Sequence, residues 1–293
     1  MILVFGSINV DIIMPVFSLP RPGETVLAKT MNVKPGGKGA NQALAAQRAG
    51  VKTSLVGRVG QDAHAKIALS SLKDENVDLS LVKVSDRETG CAIIMVDKDG
   101  ENIISVASGA NLDVASNQVD DDMLTECDVV LLQQEVLLEQ NLRLASRARD
   151  RSIPVVYNFA PSEPASEELF STIDYIIMNK IEASKILTLG AQKEPVEIAK
   201  AINRQYGITT VITLGEKGAI AESKSGSFRV SAPVVKVVDT VGSGDTFCGY
   251  FAAEIAKGNR STDSALRIAT RAASIACSRY GAQAGIPCRS DVF

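Results

Sequence analysis

The chain has 293 residues, of which 45% are hydrophobic and 22% charged, and its formal net charge is −3. It contains neither the long basic block of a nucleic-acid-binding protein nor an apolar run of the ~20 residues that span a bilayer, so we expect no nucleic-acid partner and no membrane. The five cysteines lack a paired spacing, which favours a reducing, cytoplasmic compartment, and the one histidine excludes a metal site built from several histidines.

Short apolar runs recur along the chain and predict the strands of one sheet. They cover residues 2–5, 54–59, 128–132, 154–157, 174–178 and 209–214. Because none of them alternates with polar residues, we expect strands that are buried on both faces. Segments of helical type, such as 140–151 and 195–206, separate most of these runs. The order predicts an α/β fold with a mostly parallel sheet covered by helices.

Two regions break this alternation. Residues 14–33 carry four Pro or Gly residues among alternating apolar positions, and residues 91–107 are typical of a hairpin with a turn at 97–100. We interpret them as a small β-rich insertion beside the main sheet. The expected organisation is a single domain over 1–293, with the insertion built from about 12–35 and 89–108.

The first polar motif, Gly6-Ser7-Ile8-Asn9-Val10-Asp11, follows the first predicted strand. Ligands of open α/β sheets bind beyond the carboxyl ends of the strands. In an extended chain Asn9 and Asp11 point the same way, and an amide beside a carboxylate suits sugar hydroxyls. A local turn stabilised by these side chains is the alternative.

The second motif, Pro35-Gly36-Gly37-Lys38-Gly39-Ala40-Asn41-Gln42-Ala43, leads into an Ala-rich helix that Gly50 ends. It lacks the first glycine and the final Ser/Thr of a P-loop. Lys38 and Asn41 are three residues apart at a helix start, so both can reach one ligand. A flexible connector is the alternative.

The third motif, Asp239-Thr240-Val241-Gly242-Ser243-Gly244-Asp245, follows a strand-like run at 234–238 and opens a helix that Gly258 ends. Gly242 and Gly244 let the backbone turn tightly, so that N–H groups at the helix N-terminus face an anion. Asp245 beside this anion hole can take a proton from an attacking hydroxyl. The alternative is a simple helix cap.

These three motifs together resemble the signatures of the ribokinase (PfkB) family of carbohydrate kinases, and the likeness extends over the whole chain. Supporting segments are Pro22–Thr25, Thr89-Gly90, Gly109–Asn111, Asn179–Glu182, Thr213–Gly218 and Gly281–Gln283. The resemblance implies a three-layer sandwich with a small β-sheet lid. It also implies ATP-dependent phosphorylation of the primary (O5) hydroxyl of D-ribose, giving ribose 5-phosphate and ADP. The alternatives are a family kinase acting on another sugar, deoxyribose or a nucleoside, and an inactive sugar-binding regulator.

The resemblance also implies roles for individual residues. Asp245 is the base, and the N–H groups of Gly242, Ser243 and Gly244 form the anion hole. The ribose site contains Asn9, Asp11, Gly37, Lys38, Asn41, Glu135 and Asp245 itself. The nucleotide site contains Asn179, Thr213, Gly215, Gly218 and Thr270, and Glu182 holds Mg²⁺ through water. A K⁺ ion that activates the enzyme is held by Asp239, Val241, Ala276, Arg279, Gly281 and Gly285. A homodimer formed through the lid is implied as well.

Three positions depart from the family pattern. Ser243 replaces an alanine but keeps its N–H group, so the anion hole should survive. Thr270 replaces an Asn or His near the adenine, which puts that contact in doubt. Gly285 replaces a serine that helps to hold the monovalent cation. From sequence alone we therefore expect K⁺ to act at a higher concentration here than in a Gly285→Ser variant.

Overall fold

The computed structural model describes residues 1–162, 166–186, 194–258 and 261–293. The strands are β1 (Ile2–Phe5), β2 (Asn9–Pro15), β3 (Asn32–Gly36), β4 (Thr53–Val59), β5 (Val82–Val84), β6 (Gly90–Val96), β7 (Asn102–Ala107), β8 (Val129–Gln133), β9 (Val155–Asn158), β10 (Tyr175–Asn179), β11 (Thr209–Thr213), β12 (Ala219–Ser223) and β13 (Gly226–Val230). The α-helices are α1 (Lys38–Arg48), α2 (Ala63–Ala68), α3 (Ser70–Asp74), α4 (Asp121–Thr125), α5 (Leu138–Asp150), α6 (Glu167–Thr172), α7 (Lys180–Ile186), α8 (Pro195–Tyr206), α9 (Ser243–Ala256), α10 (Thr262–Cys277) and α11 (Arg289–Val292).

The main sheet has the strand order β13-β12-β11-β10-β9-β8-β1-β4-β5 in the described part of the chain. Neighbouring strands are parallel from β5 to β11, whereas β12 and β13 extend the sheet as an antiparallel hairpin. The six predicted strands are all present, within one or two residues of their expected bounds. Because the strands are parallel, their carboxyl ends lie along one edge, and the site residues gather there.

Both faces of the main sheet are buried, which explains the continuous apolar runs. Within β1, Ile2 and Val4 join a cluster with α1, α9 and α10, whereas Leu3 and Phe5 join a second cluster with α5 and α8. All four β1 side chains are fully buried, and burying each contributes about 1.5–3 kcal/mol. The molecule is a three-layer α/β sandwich, as the sequence predicts.

A second, four-stranded sheet has the order β3-β2-β6-β7 and lies beside the first. The β6–β7 hairpin agrees with the prediction, and β2 joins β6 in parallel. The region 14–33 is less β-rich than expected, because only its two ends belong to strands. The strands of this sheet begin at Asn9 and end at Ala107, so it starts three residues earlier than the predicted insertion.

One predicted strand is wrong. Residues 234–238 belong to no strand, and the side chains of Val234 and Val237 are exposed to solvent. The backbone N–H groups of Val238 and Asp239 instead donate to the carbonyl of Cys277, at the end of α10. This segment therefore runs across a helix end rather than along the sheet. Among the helices that the structure describes, none is long and apolar enough to cross a membrane.

Candidate active site

The N-terminus of α9 forms one wall of the site. Gly242 precedes the helix at φ 76°, and a Cβ built there would lie 2.8 Å from the backbone of Ala282, so only glycine fits. The Ser243 hydroxyl and N–H donate to the Thr240 carbonyl at 2.8 and 3.3 Å, which closes the loop before the helix. No side chain caps α9, and a Cβ on Gly244 would meet nothing within 4 Å. The N–H groups at the start of α9 therefore face open space at Gly244, where an anion can bind them.

Asp245 lies in the first turn of α9 and is 8% exposed. Asn41 Nδ2 donates to its Oδ2 and Gln42 Nε2 donates to its Oδ1, each at 2.9 Å. Burial raises the pKa of Asp245, and the charge of Lys38 together with the two amide hydrogen bonds opposes that rise. The result is a carboxylate of raised pKa in a fixed orientation, as a general base requires.

A cavity of about 160 Å³ opens in front of Asp245. Several predicted site residues line it: Lys38, Asn179, Glu182, Thr213, Gly242 and Gly244. Burial lowers the pKa of Lys38, but the carboxylates of Asp245 and Glu135 raise it above its ordinary value, so the ammonium stays charged. Positive charge and helix N–H groups thus face the same cavity, which suits an anionic group such as phosphate.

Asn9 and Asp11 both lie on β2, as the sequence predicts, and both are buried. Asn9 Oδ1 accepts a hydrogen bond of 2.7 Å from Asn111 Nδ2, which fixes the orientation of its amide. Gly36 and Gly37 let the next loop pass against β2, since a Cβ on Gly36 would lie 2.3 Å from Asp11 Oδ1. The second motif is therefore packed onto the first.

Within the described part of the chain, no hydrogen bond reaches the carboxylate of Asp11. Burial raises its pKa to about 6, and the nearby charges of Glu135 and Asp245 add to the rise. A buried carboxylate without donors is costly unless a ligand supplies them. Asp11 is therefore ready to accept hydrogen bonds from the hydroxyl groups of a ligand.

Glu135 follows β8 and lies between the two motifs. Its Oε2 accepts hydrogen bonds from Ser7 Oγ at 2.5 Å and from the N–H of Lys38 at 3.1 Å. A cavity of about 290 Å³ is lined by Glu135, Asn9 and Asn111 on one side and by Val106 and Ser108 from the end of β7 on the other. The structure thus brings Asn9, Asp11, Lys38 and Glu135 together between the two sheets.

Asn179 and Glu182 lie where β10 ends and α7 begins, and they cap each other. The N–H of Asn179 donates to Glu182 Oε2 at 2.7 Å, and the N–H of Glu182 donates to Asn179 Oδ1 at 2.8 Å. This reciprocal arrangement is a capping box. Burial raises the pKa of Glu182, against the effects of the Asn179 hydrogen bond and of Lys38. The pair has a structural role and also faces the cavity beside Asp245.

The backbone carbonyls of three predicted cation residues lie close to Gly285. A Cβ built on Gly285 would lie 2.7, 3.3 and 3.5 Å from the carbonyl oxygens of Gly281, Ala276 and Arg279. Asp239 is held next to this loop, since its carboxylate accepts from the N–H groups of Val241 and Gly281 at 3.0 and 2.9 Å. Carbonyl and carboxylate oxygens are the hard ligands that alkali and alkaline-earth cations take.

The predicted nucleotide residues fall into two groups. Thr213 ends β11, and Gly215 and Gly218 shape the turn that follows, at φ 59° and 89°. Thr270 lies on the buried face of α10, 4% exposed. Its hydroxyl has no hydrogen-bond partner among the described residues. Whether Thr270 contacts a nucleotide stays a prediction.

Three residues of the site were not predicted. Gln42 donates to Asp245, Asn111 orients Asn9, and Ser7 holds Glu135. Each lies inside or next to a motif that the sequence singles out, so position in the motif is the only local signal. Their partners are between 102 and 203 residues away along the chain.

Comparison with known proteins places this site in a family context. The chain matches the pfkB family carbohydrate kinases over residues 1–289. It is 35% identical to the ribokinase of Haemophilus influenzae over 295 residues, which cover 99% of this chain and 96% of that protein.

Solved structures agree with this sequence match. The ribokinase of Thermotoga maritima has a TM-score of 0.90 at 33% identity, covering 99% of this chain and 97% of that one. The ribokinase of Arabidopsis thaliana, complexed with ribose and ATP, has a TM-score of 0.90 at 32% identity, covering 99% and 96%.

Proposed function

The chain belongs to the pfkB family of carbohydrate kinases, and we infer that it transfers the γ-phosphoryl group of ATP to the primary hydroxyl of ribose. The products are ribose 5-phosphate and ADP. Relatives that are ribokinases over their full length support this reaction. One observation of the site carries it: Asp245, held by two amides at a helix N-terminus, adjoins a cavity that Lys38 also lines.

The residues divide the reaction between them. Asp245 takes the proton of the sugar hydroxyl while the oxygen of that hydroxyl forms a new bond to the γ-phosphorus of ATP. The bond between this phosphorus and the oxygen that leaves with ADP breaks. The N–H groups at the start of α9 and the ammonium of Lys38 stabilise the negative charge on the transferred group. Asp11, Asn9 and Glu135 bind the remaining hydroxyl groups and hold the sugar against Asp245.

We propose that Mg²⁺ accompanies the nucleotide. Among the described residues no cluster of three or more acidic, His or Cys side chains could hold a metal alone. Glu182 and Asp245 do line one cavity, which suits an ion that keeps several waters and takes phosphate oxygens as ligands. Bound there, Mg²⁺ would neutralise phosphate charge, and Glu182 would orient its waters.

We also propose that a K⁺ ion binds between Asp239 and the 276–285 loop. The convergence of three carbonyl oxygens on Gly285 supports this site. Because Asp239 also holds Val241, next to Gly242, an ion there would stabilise the loop that leads into α9. Its effect should fall on the transferred phosphoryl group rather than on the sugar.

A homodimer formed through the second sheet is our further proposal. Several apolar side chains of β6 and β7 are more than 40% exposed, namely Ile93, Ile103, Ile104 and Val106. Strand β7 is an edge of its sheet, and an exposed apolar edge favours pairing with another chain. Sedimentation analysis of the purified protein tests the dimer.

All five cysteines are free, which supports our proposal of a cytoplasmic location.

A substrate panel tests the reaction itself. The protein is incubated with ATP and ribose, 2-deoxyribose, other sugars or a nucleoside, and ADP release is followed with a coupled assay. We expect the highest kcat/KM with ribose, because a site built to hydrogen-bond hydroxyl groups rejects analogues that lack them. Faster turnover with a nucleoside or deoxyribose would contradict the assignment, and the phosphorylated position is read from the product by ³¹P NMR.

A further inference from the structure

A network of buried amide side chains lies directly behind Asp245. Gln42, on α1, is fully buried. Its Nε2 donates to Asp245 Oδ1 at 2.9 Å and to Asn158 Oδ1 at 3.0 Å, and its Oε1 accepts from Gln133 Nε2 at 2.9 Å. Phosphoryl transfer as set out above gives Gln42 and Gln133 no role, and it gives Asn158 none beyond lining the cavity in front of Asp245. A buried network of hydrogen-bonded side chains makes the groups that it contacts rigid.

The direction of every hydrogen bond in this network is fixed by its ends. The ionised carboxylate of Asp245 only accepts, so Gln42 must turn its NH₂ group toward it. Asn158 Nδ2 donates to the carbonyl of Ile177 at 3.2 Å, so Asn158 must turn its oxygen toward Gln42. The oxygen of Gln42 then faces Gln133, which must donate. No member can flip without leaving two like groups in contact.

The network is also anchored in the rigid part of the fold. Gln133 ends β8 and Asn158 ends β9, which are neighbouring strands of the main sheet. Gln133 packs so tightly against Gly6 that a Cβ on Gly6 would overlap its side-chain oxygen. The ends of two strands therefore fix the position of the Gln42 amide. Through its hydrogen bond to Asp245, Gln42 in turn fixes the carboxylate in the first turn of α9.

We propose that Gln42, supported by Gln133 and Asn158, is a positioning residue that holds Asp245 in the orientation and charge state required for proton transfer. It touches neither the sugar nor the nucleotide. It donates one hydrogen bond to the ionised form of Asp245, and Asn41 donates the other. After Asp245 has taken the proton of the sugar hydroxyl, the Gln42 donor cannot turn away, so the network favours release of that proton to solvent and restores the ionised carboxylate for the next turnover.

The inference rests on the proposed kinase reaction and makes a separate prediction. Replacing Gln42 with methionine keeps the side-chain length but removes both donors. Because a hydrogen bond to a charged group is worth about 1.5–3 kcal/mol, kcat should fall about 10- to 100-fold. The KM values for ribose and ATP should stay within about threefold, since no substrate contact is lost.

The pH profile supplies a readout that a purely structural role would not move. Loss of the Gln42 donor removes a contact that lowers the pKa of Asp245, so the acid limb of kcat should move to higher pH. Other titratable groups also act on Asp245 and must be unchanged in the comparison. They are Asp11 on β2, Lys38 on α1, Glu135 after β8, Glu182 on α7 and Cys248 on α9.

Gln118 offers a matched control. It is a buried glutamine that donates to the carbonyls of Gly57 and Leu81 and accepts from Arg58 and Ala115, so it shares no hydrogen-bond partner with the amide network. Gln118→Met should lower the melting temperature at least as much as Gln42→Met, because it leaves more polar groups unpaired. Its kcat should stay within about twofold of wild type, with an unmoved acid limb.

The experiment compares wild type, Gln42→Met, Gln133→Met and Gln118→Met by kcat, KM and the pH dependence of kcat. Gln133→Met keeps the donor to Asp245 and removes only its support, so we expect a loss of about 3- to 10-fold; this variant carries the test if Gln42→Met does not fold. The proposal is overturned if kcat of Gln42→Met and Gln133→Met falls no further than kcat of Gln118→Met. It is also overturned if the loss in kcat/KM appears as a higher KM rather than as a lower kcat. Wild-type turnover with ribose tests the reaction independently.

Discussion

Asp11 and Asp245 are equally exposed, at 8% each, yet the structure treats them differently. Asp245 lies in the first turn of α9, and amides from α1 donate to both of its oxygens. Asp11 lies on a strand of the second sheet, where no donor in the described part of the chain reaches it, and its pKa rises to about 6. Burial alone therefore does not define what a carboxylate does.

The difference lies in which hydrogen bonds are already made. A carboxylate whose orientation is fixed by the protein is already placed to take the proton of an incoming hydroxyl group, as a general base must be. A carboxylate left without donors gains most when a ligand arrives, which is what a binding residue needs. We expect substitutions at Asp245 to change the chemical step and substitutions at Asp11 to change sugar binding.

The largest expected effect is at Asp245. Asp245→Asn and Asp245→Ala should each lower kcat about 10²- to 10⁴-fold, the usual contribution of a general base, with ribose and ATP affinity within about threefold. Two variants are needed because an amide at this position can accept from only one of the donors Asn41 and Gln42. Steady-state kinetics and calorimetric binding check the result, and a loss in kcat below tenfold would refute the base.

Asp11→Ala should act on the opposite parameter. It removes an acceptor for ribose hydroxyl groups, and charged hydrogen bonds are worth about 1.5–3 kcal/mol, so kcat/KM for ribose should fall about 10- to 100-fold. The fall should appear in the KM for ribose, with the KM for ATP unchanged. Asp99→Ala, at an exposed position in the turn between β6 and β7, is the control. An equal rise in both KM values would make Asp11 a structural residue.

The sequence predicts these two aspartates because each lies inside a compact local motif. It does not predict Gln42, although Gln42 is adjacent to Asn41. Neighbouring residues on a helix point about 100° apart and do not usually share a ligand. Both reach Asp245 only because α1 packs along α9, at a separation of some 200 residues. No local pattern contains that packing.

The same limit applies to the fold. Buried parallel strands leave apolar runs that are easy to recognise, so six of the nine strands that the structure describes in the main sheet are predicted, and the short edge strand β5 is missed. The run at 234–238 has the same composition but is no strand, because Val238 and Asp239 find their acceptor at the end of α10. The β12–β13 hairpin was not predicted. Its second strand is largely exposed and has no apolar run.

The comparison can be sharpened by stability. The pKa of Asp11 is about 6 in the folded protein, against 3.8 for an ordinary aspartate. Below pH 3.8 the group is neutral in both states and costs nothing; above pH 6 it is ionised in both, and the folded state is destabilised by up to about 3 kcal/mol. Asp11→Asn should therefore raise the melting temperature by several degrees at pH 7, and this gain should vanish near pH 4. A gain independent of pH would contradict the titration.

The smallest expected effect concerns the K⁺ site. It should change kcat, which depends on Asp245, and leave sugar binding, which depends on Asp11, unchanged. The sequence favours tighter K⁺ binding after Gly285→Ser, since a hydroxyl adds a ligand. The structure argues against this, because a Cβ there would lie 2.7 Å from the Gly281 carbonyl and would push the ligands apart. We expect Gly285→Ala to raise the K⁺ concentration for half-maximal kcat several-fold, as loss of about 1 kcal/mol implies, and Gly285→Ser to raise it less.

Activity is measured against KCl at constant ionic strength, set with a bulky organic cation, and the exposed neighbour Ala284→Ser is the control. The KM for ribose should not respond to K⁺ in any variant, because Asn9 and Asp11 lie on β2 of the second sheet and not in the loop that leads into α9. A kcat that is indifferent to K⁺ in every protein would remove the site, and a midpoint lower in Gly285→Ser than in wild type would restore the expectation from sequence.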